Sequence, residues 1–395
     1  MVIKWICNMS TKYYISFFVF VPVLMGCKTR INNQVFAAAT NYLVVSGNIT
    51  LGDTILINLS RMVSVKDSAR SKPLLNAGVT IEGSQGGTYP LTSKNNGNYV
   101  SAPLNLSPSQ NYRIKIATSD GKQYASDFVP VKNAPAIDSV NYVVNSATGL
   151  QVNVNTHDVT NNTHYYRWDY TETYIIHSLF DSYYMEVNHD TTAIRTADRQ
   201  IYQCWVSDTS SSILTGSSTT LSKDVVSSQL ITKIPSSSDK VHIRYSILVK
   251  QYALTSDAYN YFTLLKKNTE QLGGIFDVQP SELTGNVHCL NNPDEPVVGY
   301  VTAGAISQQR IFIDSSQLPA WTPVTSDGNC TLDTLLYFRN LGPTIALEVH
   351  DQIYSGIKIP IDKVGVYPTG GYTASFPHCV DCTLRGTNKQ PAFWR

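Results

Sequence analysis

Val241-His242-Ile243-Arg244-Tyr245-Ser246-Ile247-Leu248-Val249 is the longest alternation in the chain, with Val241, Ile243, Tyr245, Ile247 and Val249 on one parity. Successive strand side chains point to opposite faces, so a period of two predicts a half-buried strand. Upstream, Leu150, Val152 and Val154 alternate in the same way. The run Tyr165-Tyr166-Arg167-Trp168-Asp169-Tyr170 predicts an aromatic strand. Downstream the period changes. Ser256-Asp257 reads as a cap, Ala258 to Leu272 as a helix, and Gly273-Gly274 as its stop. Tyr261, Leu264, Leu265 and Leu272 would form its buried face. Strand signals return at Val297 to Val301, Ile311 to Ile313, Leu335 to Phe338 and Ile345 to Val349.

The first third of the chain carries the same signature in shorter pieces. Ile55, Ile57 and Leu59 alternate, as do Val79 with Ile81, and Tyr112, Ile114 and Ile116. Turn clusters such as Ser84-Gln85-Gly86-Gly87 and Asn95-Asn96-Gly97-Asn98 separate them. The fold class expected is mainly β. An immunoglobulin-like β-sandwich is expected over 40–132 and a second β-rich domain over 133–395. The second domain has one prominent helix at 256–272 and a cysteine-containing tail. Asn133-Ala134-Pro135 reads as the linker between them.

At 395 residues there is enough chain for two cores. Charged residues are 15% of the chain, well below the usual quarter, while Tyr reaches 24. Net charge is +1 with no basic block, which removes the electrostatic footprint of nucleic-acid binding.

The N-terminal 26 residues read as a signal peptide. Lys4 and Lys12 precede an apolar run from Ile15 to Met25, too short to span a bilayer. The run ends Leu24-Met25-Gly26-Cys27, which resembles the bacterial lipobox. That resemblance implies cleavage before Cys27, lipidation (palmitate among the acyl chains) and a tether over 27–39. Several acyl chains on one cysteine give stable anchoring. Residue 28 is Lys, so the Asp of the inner-membrane retention signal is absent, and an outer-membrane lipoprotein is expected with its membrane face open.

A second resemblance covers nearly the whole mature chain. Its pieces are Leu43-Val44-Val45-Ser46-Gly47, Tyr165-Tyr166-Arg167-Trp168, and Ser256-Asp257-Ala258-Tyr259-Asn260-Tyr261 followed by Leu264-Leu265-Lys266-Lys267. Gly273-Gly274-Ile275-Phe276-Asp277, Leu283-Thr284-Gly285-Asn286-Val287-His288, Pro296-Val297-Val298-Gly299-Tyr300 and Cys379-Val380-Asp381-Cys382-Thr383-Leu384-Arg385-Gly386 complete it. In this order they resemble the Bacteroidota outer-membrane lipoprotein family with domain of unknown function 4249. The resemblance implies a two-part β-rich architecture and frequent genomic association with TonB-dependent transporters. It transfers no catalytic residue.

Cys7 would leave with the signal and Cys27 would be lipidated, leaving Cys204, Cys289, Cys330, Cys379 and Cys382. Two disulfides and one leftover thiol is the simplest count for an exported chain. Cys379-x-x-Cys382 admits three readings. A structural disulfide is favoured. Zinc with His378 and a distant Cys lacks a second paired motif. A redox dithiol lacks a helix signal after Pro377 to lower the thiol pKa.

Tyr166, Trp168 and Tyr170 share one strand face, which is more often core than binding platform. Tyr165, Arg167 and Asp169 share the other and are the candidate ligand-binding residues, for a peptide or glycan. A solvated Arg–Asp pair is the competing reading. Glu348-Val349-His350-Asp351 holds metal-ligand types, but in a strand Asp351 faces away from the other two, so no metal and no cofactor are expected. His-Glu-x-x-His, Gly-x-Ser-x-Gly and phosphate-loop motifs do not occur. The expectation is therefore a non-enzymatic accessory or ligand-capture partner of a TonB-dependent transporter. An envelope adhesion or scaffold protein is the alternative, and a hydrolase assembled only by the fold a further one.

Overall fold

The computed structural model describes residues 41–63, 71–270, 283–322, 328, 330–340, 342, 345–365 and 369–395. The expected signal peptide, Cys27, the expected tether and Gly273-Gly274 lie outside the described residues. The chain is mainly β, as its alternations require. No described helix is long and apolar enough to cross a membrane.

The N-terminal unit is a sandwich curled at one corner. The strand Thr88–Ser93 pairs with Gly78–Gly83 on one side and Asn98–Val100 on the other, passing from one sheet to the next. Ile57, Leu59, Ile81, Tyr112, Ile114 and Ile116 point inward and are fully buried. The parity read from sequence thus places them in one core. Tyr99 and Tyr112 tolerate burial because each hydroxyl donates to a backbone carbonyl, of Leu74 (2.8 Å) and Ser107 (2.9 Å).

The expected division at 132/133 gives all later residues to a second domain. Instead the chain returns to the first unit. Val297–Gly299 and Thr302–Gly304 add in parallel beside Leu43–Thr50, and Val287–Cys289 pairs with Gln123–Ser126. Val287, Val297, Val301 and Ala303 complete the first core. A partly buried ionic cluster fixes this return. Glu295 meets Lys122 at 2.6 Å, Arg61 at 3.5 Å and the Tyr124 hydroxyl at 2.7 Å. Burial pushes the Glu295 carboxyl up, yet the Lys122 and Tyr124 hydrogen bonds and the Arg61 charge outweigh it and hold its pKa below the ordinary value.

The second unit is a two-sheet sandwich. One sheet runs Val225–Pro235, Gly149–His157, Ile137–Asn145. The other runs Gln203–Thr209, Tyr165–His177, Arg244–Ala253, Ser307–Asp314, with Leu214–Ser217 also beside Tyr165–His177. Leu150, Val152 and Val154 of the first sheet meet Trp168, Tyr245, Ile247 and Val249 of the second in one core. The alternation from 241 is not one strand. Val241 sits in a 3-10 turn, Asp239–Val241, and the strand begins at Arg244. Ile243 turns to the other face, against Trp205 and Trp394.

The linker Asn133-Ala134-Pro135 is laced to the returning segment. Lys132 N–H donates to the Ala303 carbonyl, Ala134 N–H to that of Ala305, and Ala305 N–H to the Asn133 side chain, at 2.8–2.9 Å. Gly304 is required there, because an added Cβ would lie 1.7 Å from the Lys132 carbonyl oxygen.

The helix, α1, spans Ser256–Glu270 among the described residues. Leu272 falls outside them. Its cap is Thr255, one residue before the expected Ser256, with Thr255 Oγ1 accepting from Ala258 N–H at 3.2 Å. Its buried face is Ala258, Tyr261 and Phe262, while Leu264 and Leu265 are only half-buried.

A small third layer holds Asp333–Leu336, Gly371–Ser375 and Ile359–Val364. Two expectations fail in it. Ile345 to Val349 is not a strand. Only Ile345–Ala346 pairs, and Val349–Tyr354 forms a π-helical turn that buries Val349 and Ile353 against Leu335 and Tyr372. Two residues of alternation could not distinguish these outcomes. The tail after Phe376 does contain a helical turn, α2 (Pro377–Val380), with Pro377 opening it.

Candidate functional site

The strand Tyr165–His177 positions most of the candidate residues. Alternation sends Tyr166 and Trp168 inward, both fully buried, with Tyr170 half-buried on the same core. Tyr165, Arg167 and Asp169 share the opposite face. Tyr165 and Arg167 meet helix α1, while Asp169 keeps about a third of its side chain in solvent. The Arg167 guanidinium lies between the rings of Tyr252 and Phe262, 4.4 and 4.7 Å from their centroids. One terminal nitrogen reaches Asp169 at 3.2 Å, and the buried Nε has no hydrogen-bond partner. The Tyr165 ring packs 4.9 Å from that of Tyr259. Burial, with the Asp169 charge beside it, raises the Tyr252 pKa, so that phenol stays neutral.

Arg167 also lines a cavity of about 170 Å³ between α1 and the first sandwich, together with Gly47, Tyr261, Phe262, Val298 and Tyr300. Neither reading of the Arg–Asp pair describes this arrangement fully. The pair is a strut under the helix, with both ring faces of the guanidinium already covered. Shortening Arg167 to Ala should therefore cost about 1–3 kcal/mol through lost packing. Arg167→Met, which keeps the apolar stem between the rings, should cost less than about 1 kcal/mol, because half-exposed Asp169 can rehydrate. Urea denaturation of both variants checks this, and equal losses would rule out the strut.

A hydrolase would bring Ser, His and carboxylate together in a cleft. Among the described residues His164, Ser218 and Asp224 bring these three types together. His164 Nδ1 lies 3.4 Å from Ser218 Oγ, and Ser218 donates to Asp224. The order is wrong for activating a nucleophile, since the serine proton already faces the carboxylate and not the imidazole. Asp224 also accepts from the Tyr166 hydroxyl, and Ser218 and Asp224 are buried. The trio satisfies a buried carboxylate with neutral donors. Glu172 is similar. It is buried with the Tyr245 hydroxyl at 2.9 Å and ion-paired to Lys240. Burial alone would depress the Lys240 ammonium, but Glu172 outweighs it and raises the pKa.

The cysteines pair as Cys204–Cys382 and Cys330–Cys379, leaving Cys289 as a buried free thiol. Cys379 and Cys382 thus belong to different bridges and tie the tail to two layers. Donor atoms of Cys330, His378 and Cys379 gather within 4.8 Å of one another. The two sulfurs are bonded to each other, so in this state they offer no thiolate for zinc. Glu348 is drawn to Arg339 at 2.6 Å while His350 turns outward to Asp351, which breaks up that set of ligand types.

Two cavities escaped the sequence reading. One, of about 250 Å³, is lined by His177, Tyr202, Asp239 and Arg385. The other, about 360 Å³, opens at one end of the second sandwich and is lined by Ser236, Ser238, His242, Ser315, Ser316 and Trp321. These residues come from two connections far apart in the chain, after Pro235 and after Asp314, so no local periodicity gathers them. The one usable signal was the sequence Pro319-Ala320-Trp321-Thr322-Pro323, an aromatic residue flanked by two prolines, a turn-prone composition.

No curated protein matches the chain. Among solved structures it is similar to a segment of two fibronectin type-III domains from chicken tenascin. That match has 11% identity, covers 54% of this chain and 91% of that one, and has a TM-score of 0.17. The FN1–FN3 domains of chicken CNTN1 match at 13% identity over 54% of this chain and 62% of that one, with a TM-score of 0.18. Such scores carry no argument, and the fold rests on the strands described above. The family comparison reaches further. Its matched span, residues 29–310, contains the first sandwich, the returning strands and nearly all of the second, and by that match the chain belongs to the family described as Domain of unknown function (DUF4249).

Proposed function

We propose that this chain is a non-enzymatic outer-membrane lipoprotein, anchored through Cys27, that captures a ligand for a TonB-dependent transporter beside it. The observation that carries the reading is the pairing of four cysteines into two disulfides in a chain whose start resembles a lipoprotein signal. Disulfides persist in oxidising compartments, and a lipidated cysteine would hold the body there. The laced sandwiches suit a rigid presenting body. The Ser218–His164–Asp224 trio described above commits its serine to a buried carboxylate, which favours binding over hydrolysis. The transporter comes from the family resemblance and its usual genomic neighbourhood.

Two measurements test this. Cys27→Ala should move the protein from the membrane to the soluble fraction, because the acyl chains carry the attachment. Tagged wild-type protein, recovered from its native membrane in mild detergent, should bring a TonB-dependent transporter in stoichiometric amount. Recovery of the protein alone would sink the stable complex and favour an envelope scaffold.

A further inference from the structure

The cavity of about 360 Å³ at the end of the second sandwich has a composition of its own. It lies at the lower end of small-molecule sites, which run about 300–1,000 Å³. Its walls come from both sheets. Ser236 and Ser238 follow the strand Val225–Pro235, His242 precedes Arg244–Ala253, and Ser315 and Ser316 follow Ser307–Asp314. Trp321 completes it.

These groups stand on fixed supports. Arg244 and Asp314 close the strand pair beneath the cavity at 3.1 Å, and Ser315 N–H donates to the Ile243 carbonyl. Gln317 Oε1 accepts from Asp314 N–H at 2.8 Å and shapes the turn that carries Ser315 and Ser316. The Trp321 indole N–H donates to the Ser146 carbonyl at 2.9 Å, at the tip of the hairpin Ile137–Asn145/Gly149–His157. That bond satisfies the polar edge of the ring and fixes its plane. The ring therefore presents to the cavity only its apolar surface.

The polar groups are partly uncommitted. Ser238 Oγ accepts from Lys240 N–H and Ser236 Oγ donates weakly to the Ala147 carbonyl at 3.3 Å. The side chains of His242, Ser315 and Ser316 have no hydrogen-bond partner among the described residues. Among the described residues no carboxylate, ammonium or guanidinium lines the cavity, and His242 is its one titratable side chain. A charged ligand would find no fixed counter-charge among the described residues, and a fully apolar one would strand the hydroxyls. A neutral ligand with one apolar face and a rim of hydroxyls meets both conditions, since serine hydroxyls donate and accept with equal ease.

We infer that this cavity is a binding site for a neutral sugar ring, seated with its C–H face on Trp321 and its hydroxyls against Ser315, Ser316 and His242. Leu318 and Pro319 form the apolar rim beside the ring. The inference deepens the ligand-capture reading above and does not depend on a transporter. Absence of sugar binding and absence of a transporter in the pull-down are therefore separate results.

The test titrates the purified soluble body with glucose, galactose, mannose, xylose and N-acetylglucosamine, with galacturonate as the charged counterpart. Saturation-transfer NMR and tryptophan fluorescence supply the readouts. At least one neutral sugar should bind saturably and tighter than galacturonate. Trp321→Ala should weaken that binding on the order of tenfold. Ser316→Leu, at an exposed position that fills the cavity without touching the core, should weaken it at least as much and covers the case in which Trp321→Ala fails to fold. No saturable binding by any neutral sugar overturns the inference. So does binding that survives Ser316→Leu, or a site that takes only galacturonate or an aromatic peptide.

Discussion

Trp168→Ala is expected to lower the stability of the second sandwich by about 3–5 kcal/mol, the usual cost of emptying a large aromatic site. Trp168 is fully buried, stacked 5.6 Å from Tyr166, and so close to Gly216 that a Cβ there would meet the indole at 2.9 Å. The indole also holds a relay together. Its N–H donates to Gln251 Oε1 at 2.9 Å, and Gln251 Nε2 donates to the Pro135 carbonyl and to Thr156 Oγ1. Loss of the indole therefore opens a cavity and orphans a buried amide oxygen that helps fix the linker. Trp168→Phe separates the two effects. It refills most of the volume and should cost about 1–3 kcal/mol, the penalty of the unsatisfied group. Urea denaturation measures both. A loss below about 1 kcal/mol for the Ala variant would mean that the relay and the core do not bear on one another as described.

Cys204→Ser should produce the second large effect, about 2–5 kcal/mol, and more than Cys330→Ser. The Cys204–Cys382 bridge closes a span of 178 residues and Cys330–Cys379 one of 49. Chain entropy makes the longer closure worth about 1 kcal/mol more, near 5 against near 4 kcal/mol as ceilings. Local packing adds to the difference, because Cys204 and Cys382 are both fully buried in the second core. The tail beyond Cys382 also carries Trp394, which packs on Trp205 and Phe312. Release of the bridge should expose that tail to protease and shift tryptophan emission to the red. Equal stability of the two Ser variants, with the tail still protected, would show that the tail is held by Trp394 and not by the bridge.

The readable part of this chain was its local chemistry. Tyr165 to Tyr170 announced a strand and its buried face by parity alone, because strand side chains alternate whatever the neighbours are. Ser256 onward announced a helix, with an error of one residue at its cap, where Thr255 and Ser256 offer the same hydroxyl. The tail was harder. Ile345 to Val349 looked like a strand because a short apolar run carries no clear period, yet Val349 opens the π-helical turn Val349–Tyr354. The turn Pro377–Val380 is too brief to have one at all.

Partnership between distant segments was not readable. Nothing local distinguishes Val297–Gly299 as a parallel neighbour of Leu43–Thr50, since strand pairing is settled by which surfaces remain to be covered. Arg167 looked like half of a solvated pair, and only the fold brought Tyr252 and Phe262 to its two faces. The cavity at Trp321 is the extreme case, built from two distant connections that no single window of sequence contains. The sequence by itself determined the strand-rich class, the helix, the number of thiols and the lipobox-like start, all set by near neighbours and residue type. Tertiary structure alone decided the return to the first sandwich, the disulfide partners, the role of Arg167 and the cavity, because each depends on which distant surfaces bury one another.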